Sequence, residues 1–430
     1  MMLGEMLEVA DAETVAQQRL FHAPASGAWD VPDEVEAKIH RIHPYPAKFP
    51  AFITTKALSF AREAGLDVRR VADVFCGCGT VAQEASQLGL EFWGCDINPV
   101  ATLIASVKGS RHDPAEVRHG LMRVLELLPA ALDTRPFSPA AVERLSYWYN
   151  ADQLSDLIRL LNAIEEVAPE GEKLRPVLHC AFSAILKSTS QWRQRSTKPA
   201  FDEHKRPGNV KRAFQRQCEF MASAWEELVR SSDATPQIRC ESVLTTAGPE
   251  EAVDLIITSP PYVTSYEYAD LHQLSALWLG YADDYRSLRK GSVGSSHHKR
   301  DFRQEFSRLN RIGFQTVFSL YNHDEPAARA VANYFLDMQM VARRCVEFLR
   351  PGGMAVFVIG DTEYRGVPID NAAHLAESLF DAGFETVKAA RRRISNKRHT
   401  PFRKGDGRFS GREDIKKTYA EELILIGRRK

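Results

Sequence analysis

The stretch Asp254-Leu255-Ile256-Ile257-Thr258-Ser259-Pro260-Pro261-Tyr262 decides how the rest of the chain is read. Leu255-Ile256-Ile257 is a short apolar, β-branched run with the composition of a buried strand. It stops at Thr258-Ser259-Pro260-Pro261, because two prolines lack N–H donors, fix φ and cannot extend a ladder. The residue before each proline is pushed to an extended conformation. Ser259 and the carbonyl of Pro260 are therefore expected in a stiff loop at a strand's C-terminal end, with Tyr262 just beyond. In open α/β sheets, ligands sit at that edge.

Upstream, Val71-Ala72-Asp73-Val74-Phe75-Cys76-Gly77-Cys78-Gly79-Thr80 reads as a second buried strand running into a glycine-rich turn, with a helix over 81–87. Glycines let the backbone approach a ligand closely, and the helix N-terminus favours polar or anionic groups. A further strand, Glu91-Phe92-Trp93-Gly94-Cys95, ends in Asp96, at the distance from the glycines where an acidic residue accepts ribose hydroxyls. A dinucleotide site is the competing reading; its fingerprint wants a third glycine where this chain has Ala82, a residue that is occasionally allowed there. Cys76 and Cys78 lack a partner pair and are poor zinc spacing, so no metal is expected.

Taken together, these motifs carry a resemblance. Ser259-Pro260-Pro261-Tyr262 resembles the catalytic motif of S-adenosylmethionine-dependent DNA amino-methyltransferases, which act on cytosine N4 or adenine N6, and its serine is most similar to the cytosine-N4 type. The Asp73, Phe75, Gly77, Gly79 and Thr80 pattern resembles that family's cofactor loop, and Gly94-Cys95-Asp96-Ile97-Asn98-Pro99 its ribose-binding strand. His43-x-Tyr45-Pro46-Ala47-Lys48-Phe49-Pro50 is similar to the segment that packs against the methionine end of the cofactor, which brings in Tyr45 and Lys48. Glu241, closing a strand over 238–242, would lie near the adenine. The resemblance implies S-adenosylmethionine as cofactor, double-stranded DNA as partner, and a restriction or defence component as a candidate second partner. Ser259 and the Pro260 carbonyl would accept hydrogen bonds from the amino group of a flipped base, Pro261 would stiffen the loop, and Tyr262 would stack on the base. The motifs cover about 41–108 and 236–430.

The 430 residues are 44% hydrophobic and 26% charged with zero net charge, an ordinary globular composition that does not announce a nucleic-acid partner. Any basic surface must be local. Seven cysteines at irregular spacing, with no signal peptide, suggest reduced thiols and a cytoplasmic protein. No apolar span is long enough for a membrane helix. Residues 1–40 are expected as an N-terminal arm. Residues 109–235 read as helices at 114–132, 139–150, 151–167, 174–190 and 209–231: an inserted helical domain and a candidate for target recognition. Its stretch from Lys187 to Arg216 includes Arg193 and Arg195 among Trp192, Phe201 and Phe214. The segment 287–311, with His297 and His298, is expected as a loop. A helix at 327–349, the turn Leu349-Arg350-Pro351-Gly352-Gly353, a strand at 354–359 and a helix at 369–382 lead to an antiparallel hairpin of strands 384–390 and 420–427. Between those strands lie Arg391, Arg392, Arg393, Lys397 and Arg398, candidates with Arg193 and Arg195 for DNA-phosphate contact.

The fold class expected is thus α/β, a Rossmann-like seven-stranded methyltransferase sheet with a C-terminal antiparallel hairpin and an inserted helical domain. The activity expected is site-specific cytosine-N4 methylation of DNA, with adenine N6 as the alternative and RNA or protein amides third. A cytosine-C5 enzyme needs a nucleophilic cysteine, usually after a proline, and no cysteine here follows one. A catalytically dead DNA-binding module is the rival from another class, and cofactor binding would discriminate it.

Overall fold

The computed structural model describes the chain apart from residues 1–5, 10, 14, 16–19, 21–22, 31–34, 47, 229–234, 264–267, 295–301, 365, 395–401, 404–408 and 411–420. Strand β1 (Leu7–Val9) precedes helix α1 (Ala51–Glu63), β2 (Arg70–Asp73), α2 (Thr80–Gln87), β3 (Glu91–Cys95) and α3 (Pro99–Gly109). Helices α4 (Pro114–Leu127), α5 (Pro139–Trp148), α6 (Ala151–Val167), α7 (Arg175–Ile185) and α8 (Val210–Glu226) follow. The chain then returns to the sheet in β4 (Gln237–Arg239) and β5 (Val253–Thr258). Helices α9 (Arg311–Tyr321) and α10 (Glu325–Phe348) lead to β6 (Leu349–Ile359), α11 (Asn371–Ala382), β7 (Phe384–Arg393) and β8 (Glu421–Arg429).

The sheet runs β1-β7-β8-β6-β5-β2-β3-β4. The span from β4 to β6 is parallel, and β8 lies antiparallel between β6 and β7. This is the expected Rossmann-like methyltransferase sheet with its C-terminal hairpin. An eighth strand, β1, is added antiparallel to β7. Within 1–40 the structure also buries Trp29 completely, so the described residues around it are built into the body of the protein.

Every residue of β5 is buried, as befits a parallel strand covered on both faces. Strand alternation divides its side chains. Leu255 and Ile257 pack with Ile53, Leu58 and Val81 of α1 and α2, while Ile256 packs with Phe335, Met338 and Leu375 of α10 and α11. Parallel pairing brings β2 and β5 to end side by side, so their C-terminal loops share one edge. Helices α4–α8 form a separate apolar cluster around Leu157, Leu161, Phe182 and Phe214. It takes in Val100 and Ile104 from α3 and Leu277 and Trp278 from the short helix Gln273–Trp278, so the helical layer is seated directly on that edge.

Helix α3 starts where the sequence marks it. The Asn98 side chain accepts from the N–H of Val100 and Ala101, and Pro99 occupies the first turn. Its close approach to the glycine loop explains Gly79. That residue sits at φ +72, and a Cβ there would lie 2.6 Å from the Cα of Ala105 in α3. The missing side chain makes room for that helix. Gly77, at φ +47, would place a Cβ at an ordinary 3.5 Å from the Tyr45 hydroxyl. Gly79→Ala is therefore expected to cost about 2–4 kcal/mol of stability, from left-handed strain plus overpacking, against about 1–2 kcal/mol for Gly77→Ala. Urea unfolding of the two variants checks this; equal losses would contradict it.

Candidate active site

The two loops that the sequence singles out meet at the shared edge. The Thr258 hydroxyl donates to Asp73 Oδ1 at 2.6 Å, and the N–H of Phe75 donates to the same oxygen at 3.1 Å. Asp73 is 3% exposed, and burial pushes its carboxyl up to about 7, against the hydrogen bonds from Thr258 and Phe75. Phe75 packs at the margin of the sheet's main core. Neighbouring Asp96 is half-buried and its pKa is raised by burial. Its carboxylate accepts from the N–H of Gly77 and of Asn98, each at 2.9 Å, which holds the glycine turn against the end of β3. Thr80 is buried, and its hydroxyl oxygen finds no hydrogen-bond partner among the described residues.

Tyr45 stands over this turn, its ring 5.0 Å from that of His272 and 6.1 Å from that of Tyr268. Burial and then Asp96 hold its hydroxyl well above the usual tyrosine range. His272 bonds Asn98 at 2.6 Å through Nδ1, and burial lowers its pKa to about 3, so it is neutral. His43, also neutral with a pKa lowered by burial to about 4, bonds Ser183 Oγ at 2.8 Å. Lys48 does not turn toward the glycine loop. Its Nζ donates to Glu36 at 2.6 Å and to the His40 carbonyl at 2.9 Å, bracing its own segment. Glu241 is exposed at the rim of a cavity of about 590 Å³ lined also by Ile97, Ser242, Arg308 and Met340. Cys76 and Cys78 are buried free thiols, and the buried Lys108 donates to Cys78 Sγ at 3.3 Å. Among the described residues, no group of three or more His, Cys, Asp or Glu side chains could hold a metal ion.

The Ser-Pro-Pro-Tyr loop is fastened to two later strands, and through one of them to a third. Ser259 Oγ donates to the Val358 carbonyl of β6 at 2.9 Å. Pro260 is buried and Pro261 half-buried beside it. The Tyr262 ring lies against Gly360, where a Cβ would come within 3.0 Å of it. The Tyr262 hydroxyl donates to Glu422 Oε1 of β8 at 3.0 Å. The other oxygen of Glu422 accepts from Arg392 Nε and Nη2 of β7, at 2.9 and 2.7 Å. Burial, then Glu422, raises the Tyr262 pKa well above its usual range.

Arg392 thus corrects the expectation of three adjacent arginines reaching phosphate. Strand alternation sends it into the core, where it is 3% exposed. Arg391 is half-buried and donates to the Ala23 carbonyl at 2.7 Å, with Glu421 3.4 Å away. Arg393 is exposed, as are Arg193 and Arg195 in the helical layer. Lys397 and Arg398 lie outside the described residues. Glu422 and His272 carried no motif; only their place beside Arg392 and Asn98 in the fold marks them.

The chain is 22% identical over 415 residues to the Type II methyltransferase M.MvaI of Kocuria varians, spanning 90% of each protein. It is 21% identical to the Type II methyltransferase M.BsoBI of Geobacillus stearothermophilus, covering 74% of this chain and 73% of that one. With M.AvaI of a Nostoc strain it shares 22% identity over 74% of each chain. No protein-family model matches. Among solved structures, the rRNA methyltransferase aviRa of Streptomyces viridochromogenes covers 90% of this chain and 88% of its own at 12% identity, with a TM-score of 0.28, so strand order and not that likeness identifies the sheet. Among the described residues no helix is long and apolar enough to cross a membrane.

Removing one partner of a buried ion pair strands the other charge. Glu422→Ala is expected to cost about 3–5 kcal/mol, because it leaves the Arg392 guanidinium buried and unpaired. Arg391→Ala is expected to cost about 1 kcal/mol, the scale of an exposed pair. Denaturant midpoints of the two variants compare them, and a Glu422→Ala loss as small as that of Arg391→Ala would contradict the buried network.

Proposed function

We propose that the chain is a site-specific DNA methyltransferase that transfers a methyl group from S-adenosylmethionine to the exocyclic N4 of a flipped cytosine. The observation that carries this reading is the bond from Ser259 to the Val358 carbonyl. It commits the hydroxyl's one proton, so Ser259 presents only lone pairs to the site. The Pro260 carbonyl can likewise only accept. Two stiffly held acceptors beside an anchored tyrosine ring suit a group that donates two N–H bonds from a planar ring, as the amino group of a flipped base does. The likeness to Type II methyltransferases over nine-tenths of the chain supports the reaction class, and it favours a place beside a cognate restriction enzyme.

The ends of β2 and β3 fit the cofactor. Gly77 leaves the turn bare beneath Tyr45, the Thr80 hydroxyl is buried without a partner, and Asp96 keeps lone pairs beyond its two N–H bonds to accept ribose hydroxyls. Glu241 stands at the rim of the neighbouring cavity, on the side suited to the adenine. When bound, the cofactor supplies an electrophilic methyl on a sulfonium sulfur. Ser259 and Pro260 accept hydrogen bonds from the amino group and so turn the nitrogen lone pair toward that methyl, while Tyr262 holds the ring plane; the proton that the nitrogen sheds on gaining the methyl passes to solvent. This is catalysis by positioning and needs no covalent enzyme–base adduct. Exposed Arg193 and Arg393 are suited to phosphates of the double-stranded DNA.

Unmethylated genomic DNA incubated with the protein and methyl-labelled cofactor, then digested to nucleosides, tests the reading. The label is expected in N4-methylcytosine. Ser259→Ala is expected to lower kcat by more than about tenfold with little change in KM for DNA, since its bond matters chiefly at transfer. Label in N6-methyladenine would move the target to adenine, and label in RNA with none in DNA would overturn the substrate class.

A further inference from the structure

In the helical layer, Gln191-Trp192-Arg193-Gln194-Arg195-Ser196-Thr197-Lys198-Pro199-Ala200-Phe201-Asp202 joins α7 to α8 without regular secondary structure of its own. It is nonetheless ordered as a small hairpin. Trp192 bridges antiparallel to Phe201, the N–H of Arg193 donates to the Ala200 carbonyl at 2.8 Å, and that of Asp202 to the Gln191 carbonyl at 2.9 Å. The turn closes with the Ser196 N–H on the Arg193 carbonyl at 3.1 Å, leaving Gln194 and Arg195 at its tip.

Two lysines that a phosphate-binding surface would point outward are spent inside it. Lys187 Nζ donates to the Ser196 carbonyl at 2.7 Å. Lys205 Nζ donates to the carbonyls of Lys187 at 2.7 Å and Trp192 at 2.6 Å. The base of the hairpin is fixed as well: the Trp192 ring stacks on Trp148 with centroids 5.1 Å apart. Trp148 Nε1 in turn donates to Gln273 at 3.1 Å, next in sequence to the His272 that bonds Asn98 beside Asp96. A continuous chain of side chains therefore runs from the hairpin to the cofactor edge. What remains outward is Arg193, Gln194 and Arg195, all exposed, with Tyr147 and Phe201 beside them, 5.1 Å apart and also exposed.

We propose that this hairpin is the base-reading element of the protein, with Gln194 and Arg195 contacting base edges in the major groove of duplex DNA. The inference rests on the DNA methyltransferase reading and names the part of the chain that selects the site. A two-stranded ribbon fits the major groove, where Gln pairs bidentately with adenine and Arg with guanine. Nonspecific attraction to phosphate needs only mobile cations. Base reading needs donors and acceptors held in place before contact, and the inward lysines supply that order at the cost of two surface charges.

The test measures methylation rates of wild type, Gln194→Ala and Arg195→Ala on a duplex pool randomised around the methylated base. Melting temperature and S-adenosylmethionine binding, both expected unchanged, serve as checks on folding. Each variant is expected to lose about 5- to 150-fold of discrimination at one base position, the scale of a bidentate contact, and to keep the preferences elsewhere. An unchanged preference profile would overturn the proposal. So would a uniform loss of affinity with a shallower salt dependence, which would make the hairpin a phosphate contact. Failure of the wild type to methylate any DNA would instead overturn the parent reading and this inference with it.

Discussion

A hydrogen bond from the Thr258 hydroxyl to Asp73 joins the ends of the two strands whose loops form the candidate site. Neither loop is regular structure, and each by itself could settle in many arrangements. Parallel pairing of β2 and β5 brings their ends together, and the 2.6 Å bond then fixes one loop against the other. Asp73 sits inside the protein with a carboxyl pushed up to about 7, so the group that sets the geometry is kept from water. Asp96 repeats the device one strand further, tying the Gly77 turn to the start of α3.

The second constraint comes from the far end of the chain. Tyr262 is anchored by Glu422, and Glu422 by Arg392, so the C-terminal hairpin of the sheet sets the position of a tyrosine 160 residues before its partner in sequence. A buried ion pair is costly unless its geometry is good, and a hydrophobic pair would fill the space at least as well. Its presence beside the candidate catalytic tyrosine is consistent with a demand for a fixed ring orientation over maximal stability.

Much of this was legible in the sequence because it is local. Pro260 and Pro261 end a strand by their covalent structure, and the glycine turn after β2 and Asn98-Pro99 mark strand and helix ends by backbone rules that hold anywhere; Gly352-Gly353, expected as a turn ahead of a strand, lie instead inside β6, where its pairing with β5 shifts register. What was not legible depends on tertiary neighbours. Arg391, Arg392 and Arg393 look alike in sequence, and only strand alternation and the acidic partner at 422 separate a buried ion pair from an exposed cation. Lys48 lies in a motif, yet its ammonium is taken by Glu36. The contact of Gly79 with Ala105, in a helix packed against the turn, is likewise set by a tertiary neighbour. Helix α9 went unread: its buried Ile312, Val317 and Leu320 alternate with exposed Phe314, Phe318 and Tyr321, which blurs the apolar stripe. The edge strand β1 is three residues long, too short to carry a period.

In the proposed mechanism the amino group of a flipped base is gripped by Ser259 and Pro260 and faces the methyl donor. A crystal structure of the protein with a cognate duplex and a non-reactive cofactor analogue tests it most directly. The expected result is a base out of the stack, its amino nitrogen within about 3.2 Å of Ser259 Oγ and the Pro260 carbonyl, and its ring against Tyr262. An unflipped duplex, or an extruded base whose amino group is held elsewhere, would contradict it.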